Sequence, residues 1–293
     1  MRTVWSTSLQ KIGTLYLSRN LRFADLFREK YMNAFRLPDQ EPFKILEIGC
    51  GPGSLAQALH RWYPKAAVTG LDRDINFITF AREQAPDISF IEGDATHLPY
   101  NDESFDVTIS NTVMEHIEPF VFLNEQYRVL KPRGICLVLS ARSSRIHIPS
   151  PVFAECTPFE QEIYDRTAPY FKEADQKYGV CRYPRNEREM PLMMQEAGFR
   201  RISTDYLTIN LTPDNPCYSK ETAYAMINAN RQNDIDGVDY MPYVAPGVVS
   251  DAEMAEMKIQ IHKRYDKRLE LYNAGIPQWD VNLSLTMVLR GEK

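Results

Sequence analysis

The feature that most limits what this chain can fold into is the run Glu47-Ile48-Gly49-Cys50-Gly51-Pro52-Gly53, in which an apolar segment, Phe43 to Ile48, feeds into three glycines at alternate positions. Immediately after it, Ser54 to Tyr63 places Leu55, Leu59 and Trp62 on one side of a helix that Pro64 stops. A short apolar run of this kind suits a strand buried on both faces, as strands of a parallel sheet are. Strand, glycine turn and helix together form the repeating unit of doubly wound α/β sheets. Alternate glycines also let a ligand approach the backbone without meeting a Cβ. Taken alone, the loop equally suits a tight structural turn or a nucleotide loop.

The alternation continues along the chain. Ala67 to Leu71 reads as a second strand, Asn76 to Gln84 as a helix and Ile88 to Ile91 as a third strand. Phe105 to Ser110 reads as a fourth strand, Pro119 to Leu130 as a helix and Ile135 to Leu139 as a fifth strand, with Pro132 and Gly134 marking the turn between the last two. Strands separated in this way by helices predict a parallel sheet. Ahead of it, the spacing of Leu17, Leu21, Ala24, Leu26, Phe27, Tyr31 and Ala34 predicts one or two helices, a helical cap over residues 1–42. After Ser140 the rhythm breaks, and residues 142–185 read as an inserted lid with one short helix from Phe159 to Tyr170. A helix from Glu187 to Ala197, closed by Gly198, precedes a sixth strand from Ile202 to Leu211. Residues 213–278 form a second insertion, a turn-rich stretch and then a polar helix from Asp251 to Asn273, opened by Ser250 as N-cap with Glu253 three residues on. Val281 to Leu289 is the last strand. With no internal repeat, one core over residues 43–293 carrying two excursions is the simplest organisation.

Charge and cysteine usage narrow the function. Lys and Arg number 34 against 39 Asp and Glu, a formal net charge of −5, which removes the broad basic footprint of nucleic-acid binding and favours small-molecule chemistry. The five cysteines, at 50, 136, 156, 181 and 217, form no CxxC pair and leave an odd number, as expected of free thiols in a reducing compartment. The first residues lack the apolar stretch of a signal peptide and no later run is long enough to span a bilayer, so a cytoplasmic location is expected. Neither an HExxH pattern nor a Cys/His array is present, and no metal is expected.

Two acids give the glycine loop its context. Asp72 ends Val68-Thr69-Gly70-Leu71-Asp72, 19 residues after Gly53, the spacing at which a carboxylate accepts from both hydroxyls of a ribose. Asp94, in Glu92-Gly93-Asp94-Ala95, repeats the arrangement after the third strand and suits either an adenine amino group or the cap of the next turn.

With these segments in order, the chain resembles the class I S-adenosylmethionine-dependent methyltransferases, in particular the broad group related to the ubiquinone-biosynthesis enzymes. The resemblance rests on Ile45 to Gly53, Gly70-Leu71-Asp72, Glu92 to Ala95 leading to Leu98-Pro99-Tyr100, Ser104-Phe105-Asp106-Val107, Glu115-His116-Ile117, and Leu130 to Gly134. It covers roughly residues 43–140 and says much less about the insertions. It implies a Rossmann-like sheet of seven strands, the last antiparallel beside the fifth, with S-adenosylmethionine as methyl donor and S-adenosylhomocysteine as product. It further implies Glu47, Gly49, Cys50, Gly51, Gly53 and Asn111 near the methionine portion, Asp72 on the ribose, and Asp94 and Ala95 at the adenine. The rival, a nicotinamide dehydrogenase, commonly reads GxGxxG where Gly49, Gly51 and Gly53 give GxGxG, and Glu47 would repel a diphosphate.

One departure from the family pattern is Arg73, where a small or apolar residue would be more usual; it either stacks on the base or pairs with Asp74 at the surface. Tyr16 and Arg19 reach the cofactor carboxylate if the N-terminus folds over the site. Transfer from a sulfonium is an in-line displacement that needs alignment and exclusion of water, and a general base only for hydroxyl or carbon acceptors. His116, after the fourth strand, is the candidate for that base, with capping or packing as the competing role; His147 and Glu155 are weaker candidates. The tyrosines of the insertions are expected first to pack the lid and second to contact the acceptor, and the basic residues of the polar helix, Lys258 to Arg268, to be a solvated face, with a partner surface as the alternative. The expected function is methylation of a small-molecule acceptor, against an RNA or protein methyltransferase or a non-catalytic cofactor-binding module.

Overall fold

The computed structural model describes residues 5–38, 41–141, 146–148 and 156–293. The apolar runs β1 (Phe43–Ile48), β2 (Ala66–Asp72), β3 (Ser89–Glu92), β4 (Phe105–Asn111) and β5 (Leu130–Ala141) pair in parallel in the spatial order β3-β2-β1-β4-β5. The chain thus winds outward from β1 to β3 and then returns to the other side of β1. That reversal opens a crevice at the carboxyl ends of β1 and β4, where ligands of doubly wound sheets bind.

Three further strands, β6 (Ile146–Ile148), β7 (Arg200–Asn210) and β8 (Val281–Glu292), complete an eight-stranded sheet. β8 runs antiparallel beside β5, as the resemblance implies, and β7 pairs antiparallel along the other side of β8. Because β7 occupies that side throughout, the three-residue β6 pairs with β8 in line with β5. It is an eighth strand added to the expected seven.

Both faces of the sheet are covered, which is why Ile45, Leu46 and Ile48 of β1 are all fully buried. Ile45 joins a core with Tyr31 of α2 (Arg28–Phe35), Trp62 of α3 (Ser54–Trp62) and Ile78 of α4 (Ile75–Gln84), against which Leu21 of α1 (Ile12–Arg22) packs. Leu46, one residue on, joins the opposite core with Phe122 of α5 (Pro119–Val129). The side-chain alternation of a strand makes that division.

The insertions are more helical than expected. α6 (Pro158–Tyr178) runs well past the predicted end at Tyr170, and carries a full capping box from Thr157 and Glu160. α7 (Glu189–Glu196) packs under β7 and β8. The stretch read as turn-rich contains α8 (Lys220–Val244), a 25-residue helix, and α9 (Asp251–Asn273) begins at the expected Ser250 capping box. Ile163 of α6, Val238 and Met241 of α8 and Met257 and Ile261 of α9 form a separate apolar cluster.

The basic face of α9 is only partly solvated, contrary to expectation. Arg264 donates from Nη1 to both oxygens of the fully buried Glu160, each at 2.9 Å. Arg268 is itself 0% exposed, with Nε donating to Asp280 at 2.9 Å and Nη2 to Asp214 at 2.7 Å. Isolated buried charge is expensive, so these arginines require their acids. The leading helix is tied to the same unit, Lys11 to Asp236 and Asp239 and Thr14 to Asp236, all on α8. Among the described residues no helix is long and apolar enough to cross a membrane.

Candidate functional site

A cavity of about 790 Å³ lies in the crevice at the strand ends. Its floor is the β1, β2 and β4 termini, and its walls come from Trp5 and α1 and from the tail of α6 and the turn after it. The size is that of a ligand pocket.

The glycine loop leaves β1 in the left-handed region. Gly49 (φ 71°) has no room for a Cβ, which would lie 2.4 Å from Val113 Cγ2, and one at Gly53 (φ 86°) would lie 2.9 Å from Phe90 Cζ. These two glycines therefore answer to backbone conformation and close packing, more than to ligand approach. Gly49, Cys50 and Gly51 line the cavity, whereas Gly53 does not. Burial, with Glu47 and Asp72 nearby, pushes the Cys50 thiol well up, so it stays protonated.

Glu47 ends β1 beneath this loop and is 2% exposed. Burial pushes its carboxyl well above the ordinary range and Asp72 adds to that, while the Ala56 backbone N–H and Arg19 oppose it. Its Oε2 is buried without a hydrogen-bond partner. A buried acceptor left unmade costs about 1–3 kcal/mol, and a ligand donor entering the cavity would recover it. The amino group of a methionine moiety is such a donor.

Asp72 has a duty the sequence did not reveal. Its Oδ2 accepts the Gly51 N–H at 2.8 Å and its Oδ1 the Asp74 N–H at 2.9 Å, so it holds the glycine loop to the end of β2. Burial raises its pKa against the pull of those two N–H groups. An ionised carboxylate offers about four acceptor positions, which leaves room for a diol. Asp94 accepts from Thr96 through Oδ1, from the backbone N–H and the hydroxyl, both at 2.8 Å, so the turn-capping role expected as an alternative is filled. Burial raises its carboxyl, but the Thr96 bonds and the charge of Arg73 outweigh that and hold it below the ordinary value. Asp94 and Ala95 both line the cavity.

Arg73 makes no surface pair with Asp74. Asp74 is 1% exposed and accepts from the Asn76 and Ser6 backbone N–H groups and the Ser6 hydroxyl, which pins the N-terminal segment to the N-cap of α4. Arg73 is exposed at the cavity and acts electrostatically on Asp94 and His116. Arg19 and Asn111 also line the cavity, and Arg19 donates to the Thr112 hydroxyl at 3.0 Å. Tyr16 is not part of that lining. Its hydroxyl donates to Gln57 at 3.1 Å and its ring packs edge-on to Phe80.

His116 sits in a 3₁₀ turn, Met114–His116, after β4. Its Nδ1 accepts the Cys181 N–H at 2.9 Å, and the Trp5 ring packs edge-on at 4.8 Å between centroids. Burial lowers its pKa and Arg73 lowers it further, against Glu115 and the Gly179 backbone. His116 thus borders the cavity with one ring nitrogen held by the lid turn. The Tyr183 N–H donates to the Glu115 carbonyl at 2.8 Å, so the lid turn is fastened to the β4 exit at two points. The His147 side chain and Glu155 lie outside the described residues.

Sequence reasoning missed Trp5, Thr112, Lys177 and Arg182, all of which line the cavity. Thr112 adjoins a strand end and was accessible to that logic. Lys177 and Arg182 were not, because only the packing of the inserted segment brings them over the crevice. Among the described residues no group of three or more His, Cys, Asp or Glu is arranged to hold a metal ion.

Comparison with known proteins agrees with this fold. The methyltransferase domain family matches residues 46–138. The chain is 40% identical over 108 residues to the fatty-acid O-methyltransferase of Mycolicibacterium smegmatis, covering 36% of this chain and 39% of that protein. It is 30% identical over 166 residues to the demethylmenaquinone methyltransferase of Staphylococcus aureus, covering 54% of this chain and 68% of that protein. The chain thus spans about two fifths of the length of the fatty-acid enzyme and about two thirds of the menaquinone enzyme. In fold it is similar to phosphoethanolamine N-methyltransferase 2 of Haemonchus contortus, with a TM-score of 0.52 at 17% identity over 99% of this chain and 59% of that one. The sheet, the glycine loop with its buried acid and these matches lead to one assignment: the chain belongs to the class I S-adenosylmethionine-dependent methyltransferases.

Proposed function

We propose that the protein methylates a small-molecule acceptor enclosed between the strand ends and the tail of α6, by in-line displacement. The observation that carries this reading is the unpartnered Oε2 of Glu47 in a cavity that the inserted lid also walls. S-Adenosylmethionine supplies an electrophilic methyl group on a sulfonium. Glu47 takes the amino group of its methionine portion and Arg19 the carboxylate, while Gly49, Cys50, Gly51 and Asn111 line that end of the site. Asp72 takes the ribose diol, and Asp94 and Ala95 border the adenine, with Arg73 over the same region. The lid turn, fastened through Cys181 and Tyr183, closes the remaining wall and excludes water, and alignment then supplies most of the rate.

Two supports come from outside the cofactor half. The fatty-acid and demethylmenaquinone enzymes to which the chain is similar are named for small-molecule acceptors. The net charge of −5 offers no broad basic surface for RNA. Incubating the protein with methyl-labelled S-adenosylmethionine and a cell extract, then separating small molecules from precipitated RNA and protein, tests the reading. Label is expected in the small-molecule fraction; label confined to RNA or protein would replace it with the macromolecular alternative.

A further inference from the structure

The outer edge of the sheet gathers arginines that the fold does not neutralise. Among the described strands β7 pairs only with β8, in a register that sets Ser203 opposite Arg290 and Arg200 opposite Glu292. A register shift between Arg200 and Ser203 leaves Arg201 exposed on that edge. Arg36, the C-cap of α2, reaches the same place, and its Nη2 donates to the Ser203 hydroxyl at 2.5 Å. The acid beside them, Glu292, is already shared between Arg201 Nη1 at 3.4 Å and Arg133 Nε at 3.7 Å. Arg290 is half-buried, and its Nε is buried with no hydrogen-bond partner. Burial lowers its pKa, and Arg36 and Arg201 lower it further against the pull of Glu292, so the cations stand close enough to oppose one another. No residue of α2, β7 or β8 lines the cavity at the strand ends.

The backbone supplies a second observation. Among the described residues the arginines with positive φ are Arg36 (50°), Arg133 (67°) and Arg201 (49°), and all of them belong to this cluster. Glycine or asparagine adopts that region at lower cost, so these side chains are kept against local preference. Like charges held together on such backbone, beside a buried donor left unmade, lower stability until an anion joins them. Charge on an edge strand also deters pairing with another chain, but that protection gains nothing from a buried Nε.

We propose that Arg36, Arg201 and Arg290, with the Ser203 hydroxyl, form a second binding site, which takes a phosphate-type oxyanion. The fixed fork of guanidinium N–H groups matches the oxygens of such an anion. The Ser203 oxygen accepts from Arg36 and keeps its own O–H to donate. Asp205, two residues along β7 on the same face, accepts the Tyr206 N–H at 2.8 Å, and its charge confines the anion to the Ser203 end.

The test titrates the full chain calorimetrically with pyrophosphate at constant ionic strength, so that general screening stays fixed. Saturable binding to the parent is expected. Arg290→Gln and the double variant Arg36→Gln/Arg201→Gln should each weaken it at least tenfold and leave the affinity for S-adenosylhomocysteine as in the parent. Glutamine takes a left-handed φ no more readily than arginine, so the double variant keeps the backbone balance. Lys172→Gln/Lys263→Gln, which removes the same charge at exposed positions elsewhere, should bind pyrophosphate as the parent does. Sedimentation with phosphatidylcholine vesicles containing phosphatidic acid separates the sources of the anion. Retention that the arginine variants abolish assigns the site to a lipid headgroup, and binding of free pyrophosphate without retention assigns it to a soluble phosphate. No saturable binding of pyrophosphate to the parent, arginine variants that bind it as tightly as the parent, or an equal loss in the lysine variant would overturn the site.

Discussion

Glu47 carries an energetic cost in the ligand-free chain that its neighbours only partly offset. Its carboxyl is raised in the folded state by burial. The stability it contributes is therefore complete below its unfolded value, about pH 4.3, and is lost as pH rises through the folded value. Glu47→Gln removes the charge and keeps the shape. The ligand-free variant is expected to exceed the parent in stability by about 1–3 kcal/mol at neutral pH, with the gap closing toward acid pH, while its affinity for S-adenosylhomocysteine falls at least tenfold. Urea unfolding over a pH series reads the first effect; a gap that is flat with pH would contradict the buried-acid account. Asp72 behaves differently because it holds the Gly51 and Asp74 N–H groups. Asp72→Ala is expected to cost stability as well as cofactor affinity, whereas a contact made only with ligand would cost affinity alone. Thermal melts without ligand separate the two. Gly49→Ala combines a left-handed φ with a 2.4 Å contact to Val113, while a Cβ at Gly51 meets nothing nearer than 3.7 Å. The Gly49 variant should therefore lose more stability than Gly51→Ala, by about 1–3 kcal/mol.

At the scale of elements, the parallel half of the fold was legible and much of the inserted half was not. β1, α3, α4 and α5 were found within a residue or two, because a buried strand followed by an amphipathic helix leaves a strong periodic signal. α9 was legible from its capping box alone. α8 was not. Its sequence carries Asn228, Asn230, Asn233, Gly237 and Pro242, poor helix formers, and its helix is held by packing between α1, α6 and α9. The same packing hid Arg264 and Arg268, whose charges suggested solvent although their acids lie on α6 and in distant loops. Arg268→Met would leave Asp214 and Asp280 facing each other without a cation. A loss of about 3–5 kcal/mol is expected, measurable by urea unfolding and partly recovered by adding Asp280→Asn. A variant as stable as the parent would mean that the cluster is solvated.

In the molecule as a whole, the cofactor half and the acceptor half differ in how they are encoded. Asp72 and Asp94 sit at fixed spacings after strands, so the strand-end residues could be named from the chain alone, and most of them do line the cavity. Tyr16 was placed by analogy with a folded-over N-terminus; that segment does cover the site, but Trp5 and Arg19 line it and Tyr16 does not. The lid wall depends on how residues 156–185 pack back over the β4 exit, a long-range contact with no local signature. Together these halves form one cavity, in which a buried acid at the strand ends, Glu47, has an oxygen without a donor. The most direct measurement of the central claim is calorimetric titration of the parent chain, Glu47→Gln and Asp72→Asn with S-adenosylhomocysteine, with NAD as control. Saturable binding by the parent, at least tenfold weaker binding by both variants and none of NAD is the predicted result. Absence of binding to the parent, or equal affinity across the three proteins, would contradict the assignment of this cavity as the methyl-donor site.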